Sequence, residues 1–198
     1  MEAFLQRTEV LDWDDPAVLA LATRLQGDSA SLVDLARRTF EWVRDEIKHS
    51  YDYQRGPVTC RASEVLAEGT GYCFAKSHLL AALLRANGIL AGLSYQRLAL
   101  EAGGDRFCLH GLNSVHLPDW GWYRLDPRGN KPGVNAKFAP PNEHLAFAAS
   151  AAGEADPPLV WAEPLPCVIK VLRTHSTWDT FAESLPDLEP EPLVASVS

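Results

Sequence analysis

The apolar positions of this 198-residue chain fall into two regimes. Up to about residue 88 they step by three and four, the helical period; beyond it they run in short strand-forming stretches broken by turn residues. Val18, Leu19, Leu21, Ala22 and Leu25 predict an amphipathic helix over 15–25, with Pro16 in its first turn, where a missing N–H costs nothing. Leu32, Leu35, Ala36, Phe40, Val43 and Ile47 predict a stronger helix over 29–48, and 63–68 can form one more short turn or helix. Next comes Gly69-Thr70-Gly71-Tyr72-Cys73, a tight approach to an Ala- and Leu-rich run. In that run Leu79, Leu80, Leu83 and Ala86 share one helical face, and Gly88 closes it where a left-handed cap is usual.

Beyond this helix the pattern predicts a strand over 89–100, a turn over 101–105, and a hairpin of 107–117 and 122–125 about Pro118-Asp119-Trp120-Gly121. A long loop is expected at 128–133, a short helix at 142–149, a strand at 168–172 and a short helix at 178–185. The small apolar stretch 146–153 could either complete the sheet or cover a cleft. Helices, then a helix carrying Cys73, then a mostly antiparallel sheet make an α+β fold with that helix packed on one face of the sheet. The length suits a single domain over 1–185, with N-terminal helices at 15–48, a core at 60–130 and a C-terminal completion at 131–185. The acidic, proline-rich 186–198 reads as an extended, loosely packed tail.

Charge narrows the partners. Eighteen basic and 26 acidic residues leave −8, the wrong sign for a nucleic-acid binder. No apolar run is long enough to span a bilayer, so no membrane partner is expected. The N-terminus lacks the basic-then-apolar order of a signal peptide, and a cytoplasmic location is the default. Cys60, Cys73, Cys108 and Cys167 contain no C-x-x-C, and at least three read as plain core or surface thiols.

Cys73 differs in its placement at the first turn of a buried helix, where unpaired N–H groups and the helix dipole favour a thiolate. A thiol nucleophile needs a base and a group to orient that base. His78 lies on the same helix and points to another face; His49, His144 and His175 have no recognisable setting. His110 and His116 share one face of one strand. Asp126, ending the returning strand ahead of Pro127, is the natural orienter. A hairpin centred on Pro118 sets Asp126 opposite His110, and one centred on Gly121 sets it opposite His116. Hairpin geometry leaves both open.

Gly71-Tyr72-Cys73, the helix ending Leu84-Arg85-Ala86-Asn87-Gly88-Ile89, then His110 and Gly121-Trp122-Tyr123-Arg124-Leu125-Asp126-Pro127 resemble the transglutaminase-like cysteine enzyme superfamily over roughly 60–130. That family carries a G-x-C helix start ending in L-R-x-x-G-I-P-A, a strand beginning H-A-W, and G-W-x-x-x-D-P. The resemblance implies a papain-like core with Cys73 as nucleophile, His110 as base and Asp126 as orienter, and leaves His116 a surface or structural residue. Leu90, Gly92 and Gly111-Leu112 depart from the family pattern around the triad. Arg128-Gly129-Asn130-Lys131 could bind substrate or simply cap the sheet.

Thiol-dependent acyl transfer on a peptide, protein or small amide substrate is therefore expected, with no cofactor, and hydrolysis rather than cross-linking. No acidic loop matches the calcium pattern of a calcium-activated cross-linker. The alternatives are a protein-glutamine transglutaminase, a non-catalytic peptide-binding member of the fold, and a metal site of Cys73, Cys108 and His110, with or without His116. The Cys73 N–H is one oxyanion donor by position. Gln54, Gln96, Tyr51, Tyr53 and Tyr95 are candidates for the side-chain donor, and Lys76 and Arg85 read as polar faces of the helix.

Overall fold

The computed structural model describes residues 1–101 and 103–189. Its axis is helix α5 (Cys73–Ala86), in which every residue from Cys73 to Arg85 is buried. An all-round apolar helix must be covered on all sides, and the rest of the chain does that. Helices α1 (Pro16–Gln26), α2 (Leu32–Glu46) and α4 (Ala62–Glu68) pack on one flank. The other flank meets the sheet. Asp15 caps α1 through Ala17 N and Val18 N, and Ser31 caps α2 through Asp34 N. Val18, Leu21, Ala22 and Leu25 of α1, and Leu35, Ala36, Phe40 and Val43 of α2, face α5 and the common core.

The sheet is antiparallel, in the order β3 (Ala91–Ala99), β4 (Phe107–Leu117), β5 (Gly121–Leu125). The hairpin closes with Leu117 opposite Gly121, so its centre is Asp119, between the two centres considered from sequence. The last pair is Asn113 with Leu125. Asp126 therefore follows diagonally from His110 across two strands, while His116 sits directly opposite Trp122 at the other end. A short parallel pair, β1 (Lys48–His49) with β2 (Thr70–Gly71), lies at the head of α5, and α3 (Ser50–Tyr53) follows β1.

Three expectations are corrected. The stretch expected as a strand at 168–172 is part of helix α6 (Pro166–Thr174), followed by α7 (Trp178–Ala182). Pro166 occupies its first turn, and Val168 and Leu172, one turn apart, are the buried positions; this spacing outweighs the β-branched composition. The helix expected at 142–149 does not form. Its backbone groups are used elsewhere: Ala146 N donates to Asp126, Phe147 O accepts from Gln96, and His144 O accepts from Lys137 N. The chain from its end onward both covers the cleft and extends the sheet, because Phe147 and Ala148, at the end of that stretch, line the cavity over Cys73 while Ala155 and Trp161, beyond it, pair with Arg97 and Leu93 on the free edge of β3. Gly92 lies beneath this strap, where a Cβ would approach Trp161 O to 3.0 Å.

Third, Lys76 and Arg85 are interior residues. Lys76 Nζ donates to the carbonyls of Arg44 and Ile47 at the C-terminal end of α2. The Arg85 guanidinium binds Ala91 O, Gln6 O and Ala162 O at 2.6–2.9 Å. Both charges are solvated by backbone carbonyls instead of water. The beginning of the tail is likewise tied down: Pro186 O accepts from Leu109 N at 2.7 Å and Asp187 makes a two-pronged ion pair with Arg97 at 2.8 Å. Residues 190–198 of the expected tail lie outside the described residues.

Candidate active site

Gly69, at φ +63, turns the chain out of α4, and Gly71 lies so close to the head of α5 that a Cβ would come within 3.1 Å of Ala75 Cβ. Cys73 is then the first residue of α5, 8 % exposed. Strand β4 runs across the helix head, and its Gly111 N–H points at Cys73 Sγ from 3.5 Å. Gly111 has no room for a side chain, since a Cβ would lie 2.6 Å from Phe74 Cδ1 and 3.1 Å from Phe74 Cα. His110, one residue earlier on β4, is buried. Its Nε2 bonds Asp126 Oδ2 at 2.8 Å, which leaves Nδ1 as the ring nitrogen available to the Cys73 thiol.

Asp126 is fully buried and held by three donors: His110 Nε2, Ala146 N at 3.0 Å and Arg128 N at 3.1 Å. Burial alone would raise its pKa, but His110 and these N–H groups hold the carboxyl below its ordinary range. Burial works against protonating His110, yet Asp126 and the Cys73 sulfur outweigh it and raise the imidazole to about 10. Phe147 packs edge-on against the ring at 5.0 Å and screens it from water. The other thiols are poor nucleophile sources: burial pushes Cys60 to about 11 and Cys108 to about 12, and raises Cys167.

Cys73, His110 and Asp126 thus come together. His116 does not; it stacks edge-on against Trp122 at 5.5 Å. His78 is enclosed with Nδ1 2.8 Å from Cys60 O, and burial lowers it to about 4. Among the described residues no group of three or more His, Cys, Asp or Glu is placed to hold a metal ion, so the metal site of Cys73, Cys108 and His110, with or without His116, is not assembled. Of the candidate oxyanion donors, Gln96 spends its amide on Phe147 O, Tyr95 accepts from Leu165 N, and Gln54 and Tyr53 lie outside the Cys73 cavity. Tyr51 reaches the cavity wall but is 53 % exposed.

Two residues escaped sequence reading. His49 lines the Cys73 cavity, and Asp52 anchors the loop after Asp126 by accepting from Arg128 at 2.6 and 3.0 Å and from Lys131 at 2.6 Å. Burial opposes ionising Asp52, but these two cations lower it to about 2. The polar cluster at 128–131 is therefore partly interior, and Arg128 is a wall of the cavity. That cavity, about 520 Å³, continues from Cys73 and His110 along Leu98, Leu100, Leu109 and Leu185. A second, polar cavity of about 560 Å³ is lined by Tyr53, Gln54, Asn130, Lys131 and Trp178 and shares Tyr51 with the first.

A buried helix with a cysteine at its head, laid on an antiparallel sheet that carries a histidine–aspartate pair, defines the α+β core of the papain-like and transglutaminase-like class. The sequence profile of the transglutaminase-like superfamily matches residues 19–127, more than half of the chain, and the chain belongs to that superfamily. No curated protein matches it. Among solved structures it is similar to a provisionally assigned cysteine protease from Cytophaga hutchinsonii, at 19% identity and TM-score 0.50 over 63% of this chain and 40% of that one. It is also similar to the periplasmic domain of TgpA from Pseudomonas aeruginosa, at 21% identity and TM-score 0.48 over 63% and 45%, and to red sea bream transglutaminase, at 14% and 0.45 over 64% and 32%. The chain spans less than half the length of each. At such identities the likeness concerns fold alone. No helix among the described residues is long and apolar enough to cross a membrane.

Proposed function

We propose that this protein is a thiol hydrolase of peptide or carboxamide bonds. Cys73 Sγ attacks the carbonyl carbon, and His110 Nδ1 accepts the thiol proton and passes it to the leaving amine. The thioester left on Cys73 is then hydrolysed by water, which His110 deprotonates, releasing a carboxylic acid and restoring the thiol. Asp126 fixes the imidazole tautomer and carries the opposite charge when the ring is protonated. The observation that carries this reading is His110, bonded through Nε2 to a buried carboxylate at 2.8 Å, with its other nitrogen left for the Cys73 thiol in the cavity that both residues line.

The two cavities suggest how substrate lies. An apolar acyl residue suits Leu98, Leu100, Leu109 and Leu185, and a polar leaving group suits the arm bearing Asn130 and Lys131. Four unpaired cysteines are compatible with the cytoplasm as its compartment.

The test is acylation by p-nitrophenyl acetate, read as a burst of p-nitrophenolate and as an acetyl adduct located by mass spectrometry. The expected adduct is on Cys73, absent from Cys73→Ala and strongly reduced in His110→Ala. Peptide amides with Leu or Phe at the acyl position should turn over faster than those with Gln or Asp. An adduct spread over the other cysteines, or a Cys73 that never acylates, would refute the catalytic assignment.

A further inference from the structure

His49 is the one histidine besides His110 that borders the Cys73 cavity, and the acyl-transfer scheme above gives it no task. Its position is built. β1 pairs with β2 so that His49 lies opposite Gly71, two residues before the nucleophile. Its ring meets the edge of Tyr72, the residue preceding α5, at 5.5 Å between centroids. The side chain is buried, and its Nδ1 has no hydrogen-bond partner. The nearest carboxylate oxygen, Asp52 Oδ2, is 3.7 Å away, beyond bonding reach, and Asp52 already serves Arg128 and Lys131.

A buried N–H without an acceptor is rarer than an acceptor without a donor. With Nδ1 enclosed and unpartnered, the ring proton belongs on Nε2, the nitrogen that is not enclosed, in a ring that borders both the Cys73 cavity and the polar pocket of Lys48, Asp52 and Lys76. Burial, with Arg128 beyond it, holds the pKa of His49 well below the ordinary imidazole range, so the ring carries one proton and no charge. A neutral N–H fixed against Tyr72, at the head of α5, costs no reorganisation when charge develops nearby.

We propose that His49 Nε2–H is the side-chain donor of the oxyanion hole, acting with the Cys73 backbone N–H on the carbonyl oxygen of the acyl group. This rests on the acyl-transfer reading. As Sγ bonds to the carbonyl carbon, the C=O π pair moves onto oxygen. The resulting oxyanion accepts from the two N–H groups until the leaving amine departs and the carbonyl re-forms.

The experiment compares two reactions of Cys73 in His49→Gln and His49→Met, side chains of similar size of which only Gln retains an N–H donor. Iodoacetamide alkylation displaces iodide at a saturated carbon and forms no oxyanion, whereas p-nitrophenyl acetate acylation passes through one. In His49→Met acylation should fall roughly 100- to 1,000-fold while alkylation stays within about twofold, and His49→Gln should recover at least about tenfold of the loss. The ¹⁵N shifts of the His49 ring in the parent should report a neutral, Nε2-protonated imidazole. Equal loss of acylation and alkylation would mark His49 as merely structural. Unchanged acylation in His49→Met, or an Nδ1-protonated ring, would overturn the assignment. A parent that alkylates at Cys73 but never acylates would instead remove the acyl-transfer reading, and His49's role with it.

Discussion

Gly111→Ala tests how closely the sheet must approach the nucleophile. The new methyl would lie 2.6 Å from Phe74 Cδ1, 3.1 Å from Phe74 Cα and 3.2 Å from Phe74 N, where ordinary contact begins at 3.4 Å. The ring cannot swing aside, because Phe74 is buried between Tyr95 and Phe181, each with its ring centroid 6.4 Å away. The two backbone atoms belong to the first turn of α5, so yielding there would move Cys73 itself. β4 must therefore retreat, by up to the 0.8 Å that separates 2.6 Å from 3.4 Å, carrying His110 and the Gly111 N–H away from the sulfur. Overpacking of this kind costs about 1–3 kcal/mol of stability. A displacement of about 1 Å costs roughly 100-fold in rate, so this slightly smaller retreat should slow Cys73 acylation roughly 10- to 50-fold. Urea denaturation and p-nitrophenolate bursts measure the two effects. Phe74→Ala alone should cost about 3–5 kcal/mol. It also removes the tightest obstruction, the ring atom at 2.6 Å, while Cα and N remain, so the double variant should be more stable than the sum of the singles by about 1 kcal/mol. Additivity within about 0.5 kcal/mol, or a Gly111→Ala protein as stable and reactive as the parent, would refute the close-approach argument.

Asp126→Asn keeps the shape but breaks a buried charge pair and should cost about 3–5 kcal/mol by urea unfolding; the pH profile of Cys73 alkylation should also shift as His110 loses its counter-charge. Stability against pH should reveal two opposed groups. His110, raised from 6.5 to about 10, binds more protons folded than unfolded in that window; its contribution is complete below pH 6.5 and lost as pH rises toward 10. Lys76, lowered from 10.5 to about 7 mainly by burial, does the reverse; its penalty is complete below pH 7 and relieved as pH rises toward 10.5. Thermal unfolding of the parent should therefore vary little from these two groups between pH 7 and 10, with Lys76→Met losing stability across that window and His110→Gln gaining it; curves parallel to the parent would contradict both assignments. Arg97→Ala removes the ion pair with Asp187, the bond to Gly153 O and the cation face over Phe107 at 4.0 Å. It should cost about 1–3 kcal/mol and raise hydrogen exchange at Leu109 N, whose acceptor is Pro186 O, before global unfolding.

What the sequence determined is what short stretches encode. The Gly-Thr-Gly entrance and the Ala- and Leu-rich run place the head of α5 at Cys73, because glycine tolerance and helix propensity act within a few residues. Turn residues between two strand-forming runs likewise specify the β4–β5 hairpin. The tertiary structure decided everything that depends on a distant partner. The hairpin closes about Asp119, and only that register makes His110 and Asp126 diagonal neighbours. His49 and Lys76 looked featureless because their surroundings are assembled from segments far away in the chain: Gly71 and Asp52 for the first, the carbonyl end of α2 for the second. Residues 168–172 have a strand-like composition, yet burial of Val168 and Leu172 on one side makes them helical. Periodicity and turn chemistry are local energies, readable in order along the chain. Burial, register and the field at an ionisable group are sums over neighbours that exist only once the chain has closed on itself.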